Sequence, residues 1–151
     1  MYLLDTDHCG ELFKANQTII RKLQLLDEAV VATCVVVSGK MLLMGYRSEL
    51  REENLFRINS FLTDLIVYPL DDAAADAYAR IKAGLLDRFG PRAKAARRQF
   101  DLAKLGLKDN DLWIASVAQS RGFTVVSGDR DFSRISEVSG IPIENWLAET
   151  G

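Results

Sequence analysis

Phe123-Thr124-Val125-Val126-Ser127-Gly128-Asp129-Arg130-Asp131-Phe132 decides the fold of this chain. Residues 123–126 are apolar or β-branched throughout, as in a strand whose two faces are both covered. Gly128 marks the turn that follows, and residues 132–138 have the spacing of a short helix. Just upstream, the strongly apolar residues 110–121 read as a helix that Gly122 ends. Helix, buried strand, turn and helix in succession make a βα unit.

The same rhythm runs outward to both termini. Residues 2–4 are a short strand that stops on Asp5. Residues 12–26 predict a helix, with Leu12, Ile19, Ile20, Leu23 and Leu26 forming its apolar stripe. Residues 29–37 predict a buried strand whose last residues already open the next helix. The charged stretch 40–61 divides into two helices, with Leu50, Leu55, Ile58 and Leu62 facing the core. A strand at 65–68 is stopped by Pro69, and an Ala-rich helix at 71–89 ends at Gly90-Pro91. Residues 92–105 predict a basic helix ended by Gly106, and 141–143 a last, minor strand. Short strands separated by helices demand a parallel sheet, because parallel neighbours need long crossovers. The expected fold is α/β, with a central parallel sheet and helices on both faces. No repeat, linker or low-complexity stretch divides the chain, so one domain over 1–151 is expected.

Composition narrows the function. Hydrophobic residues make up 48% and charged residues 26%, the balance of a soluble domain with a real core. With 19 Lys plus Arg against 21 Asp plus Glu, the chain is no bulk polycation, though a local basic patch remains open. No window approaches the roughly eighteen apolar residues of a membrane span. The sequence starts directly with Met1-Tyr2-Leu3-Leu4-Asp5 and shows no secretory leader, so a cytoplasmic location is expected. Cys9 and Cys34 make no disulfide framework and read as small buried hydrophobes. One His and two Cys argue against zinc.

In an open parallel sheet, ligands bind beyond the carboxyl ends of the strands. The first strand delivers Asp5-Thr6-Asp7 there, and residues 123–126 deliver Ser127, Gly128, Asp129 and Asp131. Asp109-Asn110-Asp111 opens the helix between. Asp7 and Asp109 read most simply as helix-start residues. For Asp131 that reading and a functional one are balanced. Asp5 and Asp129 follow directly on buried strands. Crowded carboxylates repel unless a cation compensates them, and oxygen-only ligands suit Mg²⁺ or Mn²⁺. Such a site can bind phosphate oxygens and activate water for phosphodiester hydrolysis. Arg88, Arg92, Lys94, Arg97, Arg98 and Lys104 form a basic stretch, read as a solvated face or as a set of phosphate contacts.

Three motifs carry a family resemblance across nearly the whole chain: Leu4-Asp5-Thr6-Asp7, Asp111-Leu112-Trp113-Ile114-Ala115, and Val125-Val126-Ser127-Gly128-Asp129-Arg130-Asp131-Phe132. In this order and separation they resemble PIN-domain proteins, and among these the VapC-type toxins of bacterial toxin–antitoxin pairs. The resemblance implies a three-layer α/β/α fold and a Mg²⁺- or Mn²⁺-dependent endoribonuclease acting on tRNA or ribosomal RNA. It implies a VapB-like antitoxin that blocks the site, and homodimerisation. Asp5 then matches the first acidic ligand, Asp111 the third and Asp129 the fourth. Asp131 matches a further acid, and Ser127 a hydroxyl beside the site, with Thr6 in support. The family's second acid is a Glu, and Lys40 stands in its place within Val37-Ser38-Gly39-Lys40-Met41-Leu42. Glu49 lies nine residues on, roughly 13 Å along a helix, too far to substitute.

Lys40 is expected to form ion pairs with the acids and to weaken metal binding, leaving a disabled toxin. Two rival readings remain. Asp5-Thr6-Asp7-His8 also looks like the nucleophile loop of haloacid-dehalogenase-type phosphatases, with Asp5 and Asp7 in action. Alternatively the chain binds an antitoxin or RNA, with Arg92, Arg97 and Arg98 on the RNA, and cuts nothing. Leu12 and Leu50 are expected in the core, and Phe13 and Phe56 in the core or at a partner surface. Trp113 is expected in the core, Trp146 either buried or exposed, and His8 in a cap or turn.

Overall fold

The computed structural model describes residues 1–148; the last three positions of the expected 1–151 domain lie outside the described residues. Five strands form one sheet: β1 (Tyr2–Leu4), β2 (Val31–Cys34), β3 (Ile66–Tyr68), β4 (Thr124–Val126) and β5 (Ile143–Glu144). Their order is β3-β2-β1-β4-β5, and every pairing is parallel. Between β1 and β2 run α1 (Thr6–Phe13) and α2 (Gln17–Leu25). Between β2 and β3 run α3 (Val35–Tyr46) and α4 (Arg51–Thr63). The long connection to β4 holds α5 (Asp72–Phe89), α6 (Lys94–Arg97), a 3-10 turn (Leu102–Leu105) and α7 (Asp109–Arg121). Then α8 (Asp131–Ser139) leads to β5.

The chain steps one way from β1 to β3 and the other way from β3 to β5. Right-handed crossovers stepping in opposite directions leave the sheet on opposite faces. Accordingly α1 packs on α2 and α3, and α3 on α4, while α5, α7 and α8 pack together. The result is the three-layer α/β/α architecture. Leu3, Leu4, Ala32, Cys34, Val125 and Val126 are fully buried between the layers. They explain why the strands are apolar without alternation.

Some expected boundaries shift. The helix predicted over 12–26 is two helices. α1 begins at Thr6, where Asp5 caps it, and the chain breaks at Ala15, whose φ is 59°. Asn16 then caps α2 by accepting the Thr18 amide at 2.9 Å. The basic helix predicted over 92–105 shrinks to α6 and the 3-10 turn. Its exposed Arg and Lys offer no apolar stripe to hold a longer helix on the core. Leu50 was expected in the core and is 62% exposed, because it sits in the turn before α4 rather than on its buried face. Leu12 and Phe13 pack against the core, Phe13 edge-on to Phe61, and Phe56 is 74% exposed. Trp146 is buried, and Cys9 and Cys34 are buried free thiols.

Gly45 lets α3 and α4 approach closely: a Cβ there would lie 2.7 Å from Leu55 Cδ2 and 3.1 Å from Ile58 Cδ1. Gly45→Val is expected to lower stability by about 1–3 kcal/mol through overpacking. Urea unfolding measures this directly. An unchanged midpoint would mean the two helices have slack.

Candidate metal centre

β1 and β4 pair in register at the point where the strand order reverses, so a cleft forms beyond their carboxyl ends. The Asp5 amide donates to the Val126 carbonyl at 3.1 Å, which fastens the two strand ends together. Asp5 is 5% exposed. It carries the plain structural role as well as the expected functional position: its Oδ1 caps α1 by accepting the His8 amide at 2.9 Å. The His8 ring meets the same oxygen through Nδ1 at 3.1 Å. Beside it, Thr6 Oγ1 is buried without a hydrogen-bond partner.

After β4 the side chains themselves shape the loop. Ser127 Oγ accepts the Asp129 amide at 3.0 Å, and Asp129 Oδ1 accepts the Asp131 amide at 2.9 Å. These local bonds are what Ser and Asp offer in place of regular structure. They turn the chain so that Asp131 opens α8.

Asp111 approaches from the first turn of α7 and is 6% exposed. Its Oδ2 is buried and has no partner. Burial, and then the charge of Asp129, push its carboxyl up from 3.8 to about 6, against the opposing pull of Lys40 and Lys108. Asp111, Asp129 and Asp131 each bring an oxygen within 4.8 Å of the others. Asp5 stands outside this trio, across the same rim. An unpaired buried oxygen among oxygen-only donors suits a hard divalent cation such as Mg²⁺ or Mn²⁺.

The expected Lys40 ion pairs are corrected by the structure. Among the described residues Lys40 makes none within 4.0 Å. Lys108 lies 3.6 Å from Asp129, and Arg134 pairs with Asp131 at 2.6 Å. Arg134 reaches its acid from one helical turn after Asp131, whereas Lys108 comes from the start of α7, distant in sequence from Asp129. Lys40 is half-buried on α3 and acts on Asp111 through its charge.

The other expected residues scatter. Asp7 is exposed in the first turn of α1, apart from the acidic trio. Asp109 also starts a helix and accepts from the Tyr78 hydroxyl. Trp113 is half-buried and stacks on Tyr78, with centroids 3.9 Å apart. Arg92 and Arg98 are exposed, whereas Arg97 is engaged by Asp87 and the Pro91 carbonyl, each at 2.7 Å. Neither Lys108 nor Arg134 was expected at the acids. The i,i+3 spacing of Asp131 and Arg134 was a signal for the second pair; the Lys108 pair with Asp129 is long-range and left none.

A model described as "PIN domain" matches residues 2–138. The chain belongs to the PIN-domain family, a family of nucleases. Its relatives there are VapC-type toxins. Ribonuclease VapC5 of Mycobacterium tuberculosis is 32% identical over 125 residues, covering 78% of this chain and 81% of that one. The tRNA(fMet)-specific endonuclease VapC of Shigella flexneri is 26% identical over 146 residues, covering 96% and 97%. A chain in the crystal structure of DNA-bound VapBC from Salmonella typhimurium superposes with a TM-score of 0.75 at 26% identity, across 97% of this chain and 98% of that one. Family membership and the exposed position of Asp7 together set the phosphatase alternative aside.

The raised Asp111 carboxyl has a consequence for stability. Between 3.8 and about 6 the folded chain holds a proton that the unfolded chain has released. Its contribution to stability therefore declines as pH rises through that window. Asp111→Asn is expected to stabilise the metal-free chain near pH 8 by about 2 kcal/mol. The loss of a favourable charge at the start of α7, about 0.3–1 kcal/mol, is already set against it. Urea melts from pH 4 to 8 read both the gain and the flattened slope. A variant less stable than the parent at the upper end would show that Asp111 is not under electrostatic strain.

Proposed function

We propose that this chain is an endoribonuclease toxin of the VapC type, dependent on Mg²⁺ or Mn²⁺ and weakened by Lys40. The observation that carries this reading is the buried, partnerless Asp111 oxygen grouped with Asp129 and Asp131. Asp5, Asp111, Asp129 and Asp131 are the residues that would hold the ion, and Thr6 and Ser127 support them. Bound there, the ion would polarise a phosphate and supply hydroxide from water near neutral pH. Asp111 and Asp129 must both be ionised for this, which their mutual repulsion opposes. Lys40 relieves part of that repulsion without offering a ligand oxygen, so it competes with the ion it would replace. Arg92 and Arg98, with Arg97 behind them, would hold the RNA backbone.

The substrate class is tRNA or ribosomal RNA, a reading supported by the name of the Shigella relative. The partner is a VapB-like antitoxin, in line with the VapBC complex from Salmonella. Exposed Leu43, Met44 and Phe56 on α3 and α4 offer apolar surface for it and for a second copy in a homodimer. No helix is long and apolar enough to cross a membrane, and the proposed site of action is the cytoplasm. A second reading keeps the partner and loses the chemistry: with Lys40 in place, the chain binds antitoxin or RNA and cuts nothing.

Cleavage of a tRNA pool with Mn²⁺ separates these readings. Lys40→Glu is expected to cut at least about tenfold faster than the parent, and EDTA to stop it. Equal rates would acquit Lys40. No cleavage by either form, with RNA still bound, would favour the binding-only reading. Separately, Arg92→Ala with Arg98→Ala is expected to weaken RNA binding and reduce the salt slope by roughly 1–2. An unchanged slope would place those arginines off the RNA.

A further inference from the structure

His8 is fully buried, yet its ring is bonded on both sides. Nδ1 faces the Asp5 carboxylate at 3.1 Å and so carries a hydrogen. Nε2 accepts the amide of Trp146 at 3.3 Å, and Asn145 Oδ1 lies 3.2 Å from the same nitrogen. Asn145 Oδ1 is held in turn by the Leu147 amide at 2.9 Å. The Asn145 amide also lies against the second acid-bearing turn, where a Cβ on Gly128 would come within 3.0 Å of Asn145 Nδ2. Behind these groups, Trp146 is buried edge-on against Tyr2 of β1, with centroids 5.1 Å apart.

Both hydrogen bonds to the Asp5 side chain fall on Oδ1, so Oδ2 has no protein donor among the described residues. A carboxylate tied by two donors on one oxygen has its orientation set and its other oxygen available. We propose that His8 and Asn145 are positioning residues of the metal centre. The imidazole fixes the Asp5 carboxylate, and the Asn145 side chain spaces the Asp5 turn from the Ser127-Gly128-Asp129 turn. Such outer-shell partners commonly change metal affinity when removed. The segment after β5 is then part of the site, although it carries no ligand.

This inference rests on the metal-site reading above. The test is Mn²⁺ binding by calorimetry and by the paramagnetic resonance of free Mn²⁺, with thermal melts alongside, in the full-length Lys40→Glu chain. His8→Leu, which keeps volume and loses both bonds, is expected to lower Mn²⁺ affinity about 10–100-fold. His8→Asn, which can still donate to Asp5, is expected to recover most of that loss. Asn145→Ala lies at the surface and threatens the fold least, and is expected to lower affinity several-fold with little change in melting temperature. If the variants melt earlier but bind Mn²⁺ as tightly as their parent, His8 and Asn145 only hold the C-terminal strand and the proposal is overturned. If His8→Leu fails to fold, unchanged affinity in Asn145→Ala and His8→Asn overturns it equally. If Lys40→Glu itself binds no Mn²⁺, the metal reading falls, and this inference with it.

Discussion

Four carboxylates share one rim where β1 and β4 run side by side, and their repulsion is the constraint around which the rest is arranged. Two of them, Asp5 and Asp111, are almost wholly buried. Negative charge is seldom held at such depth without a partner. Here the compensation is local and incomplete. Lys108 reaches Asp129, Arg134 takes Asp131, and the Asp5 carboxylate leans on a helix N-terminus and a buried imidazole. Asp111 receives no hydrogen bond on Oδ2 and holds its proton longer than a solvated acid would. The scaffold places these groups against their own preference, and parallel strands packed on both faces give it the rigidity to do so.

Lys40 belongs to this balance of charge more than to the contact network. It stands half-buried on α3, out of ion-pair range, and still draws the Asp111 carboxyl toward ionisation. A lysine whose long stem keeps its ammonium wet gains more from a diffuse role than from a buried pair, because desolvating it is costly. The direct ion pairs with Asp129 and Asp131 are made by Lys108 and Arg134 instead.

The sequence carried the architecture clearly because burial on both faces leaves an unambiguous mark. Runs such as Val125-Val126 and Ala32-Thr33-Cys34 hold no exposed alternate position, and the first is followed at once by polar residues at the carboxyl end of the sheet. The acids of the rim could be read for the same reason: each lies one to three residues past a strand or in the first turn of a helix. What escaped was everything set by distant packing. The break at Ala15 follows from a positive φ that an alanine does not announce, although the Asn16 cap after it is a local signal. The basic stretch after Pro91 has helical composition and still stays largely irregular, for want of an apolar face. Leu50 matches a helical stripe by spacing and lies outside the helix. His8 looked like a turn residue because the Trp146 amide bonded to its ring is 138 positions away.

The central place of β1 has a temporal side. In the sheet β1 is flanked by β2 and by β4, and β4 begins only at Thr124. Synthesis from N- to C-terminus therefore delivers Asp5 well before the strand whose Val126 carbonyl holds its amide. Asp129 and the Trp146 anchor come later still. A chain released before Asp129 lacks part of the acidic group, and the innermost strand of the sheet must wait for its second neighbour. Order of synthesis thus leaves the acidic rim incomplete until β4 and its turn have been made.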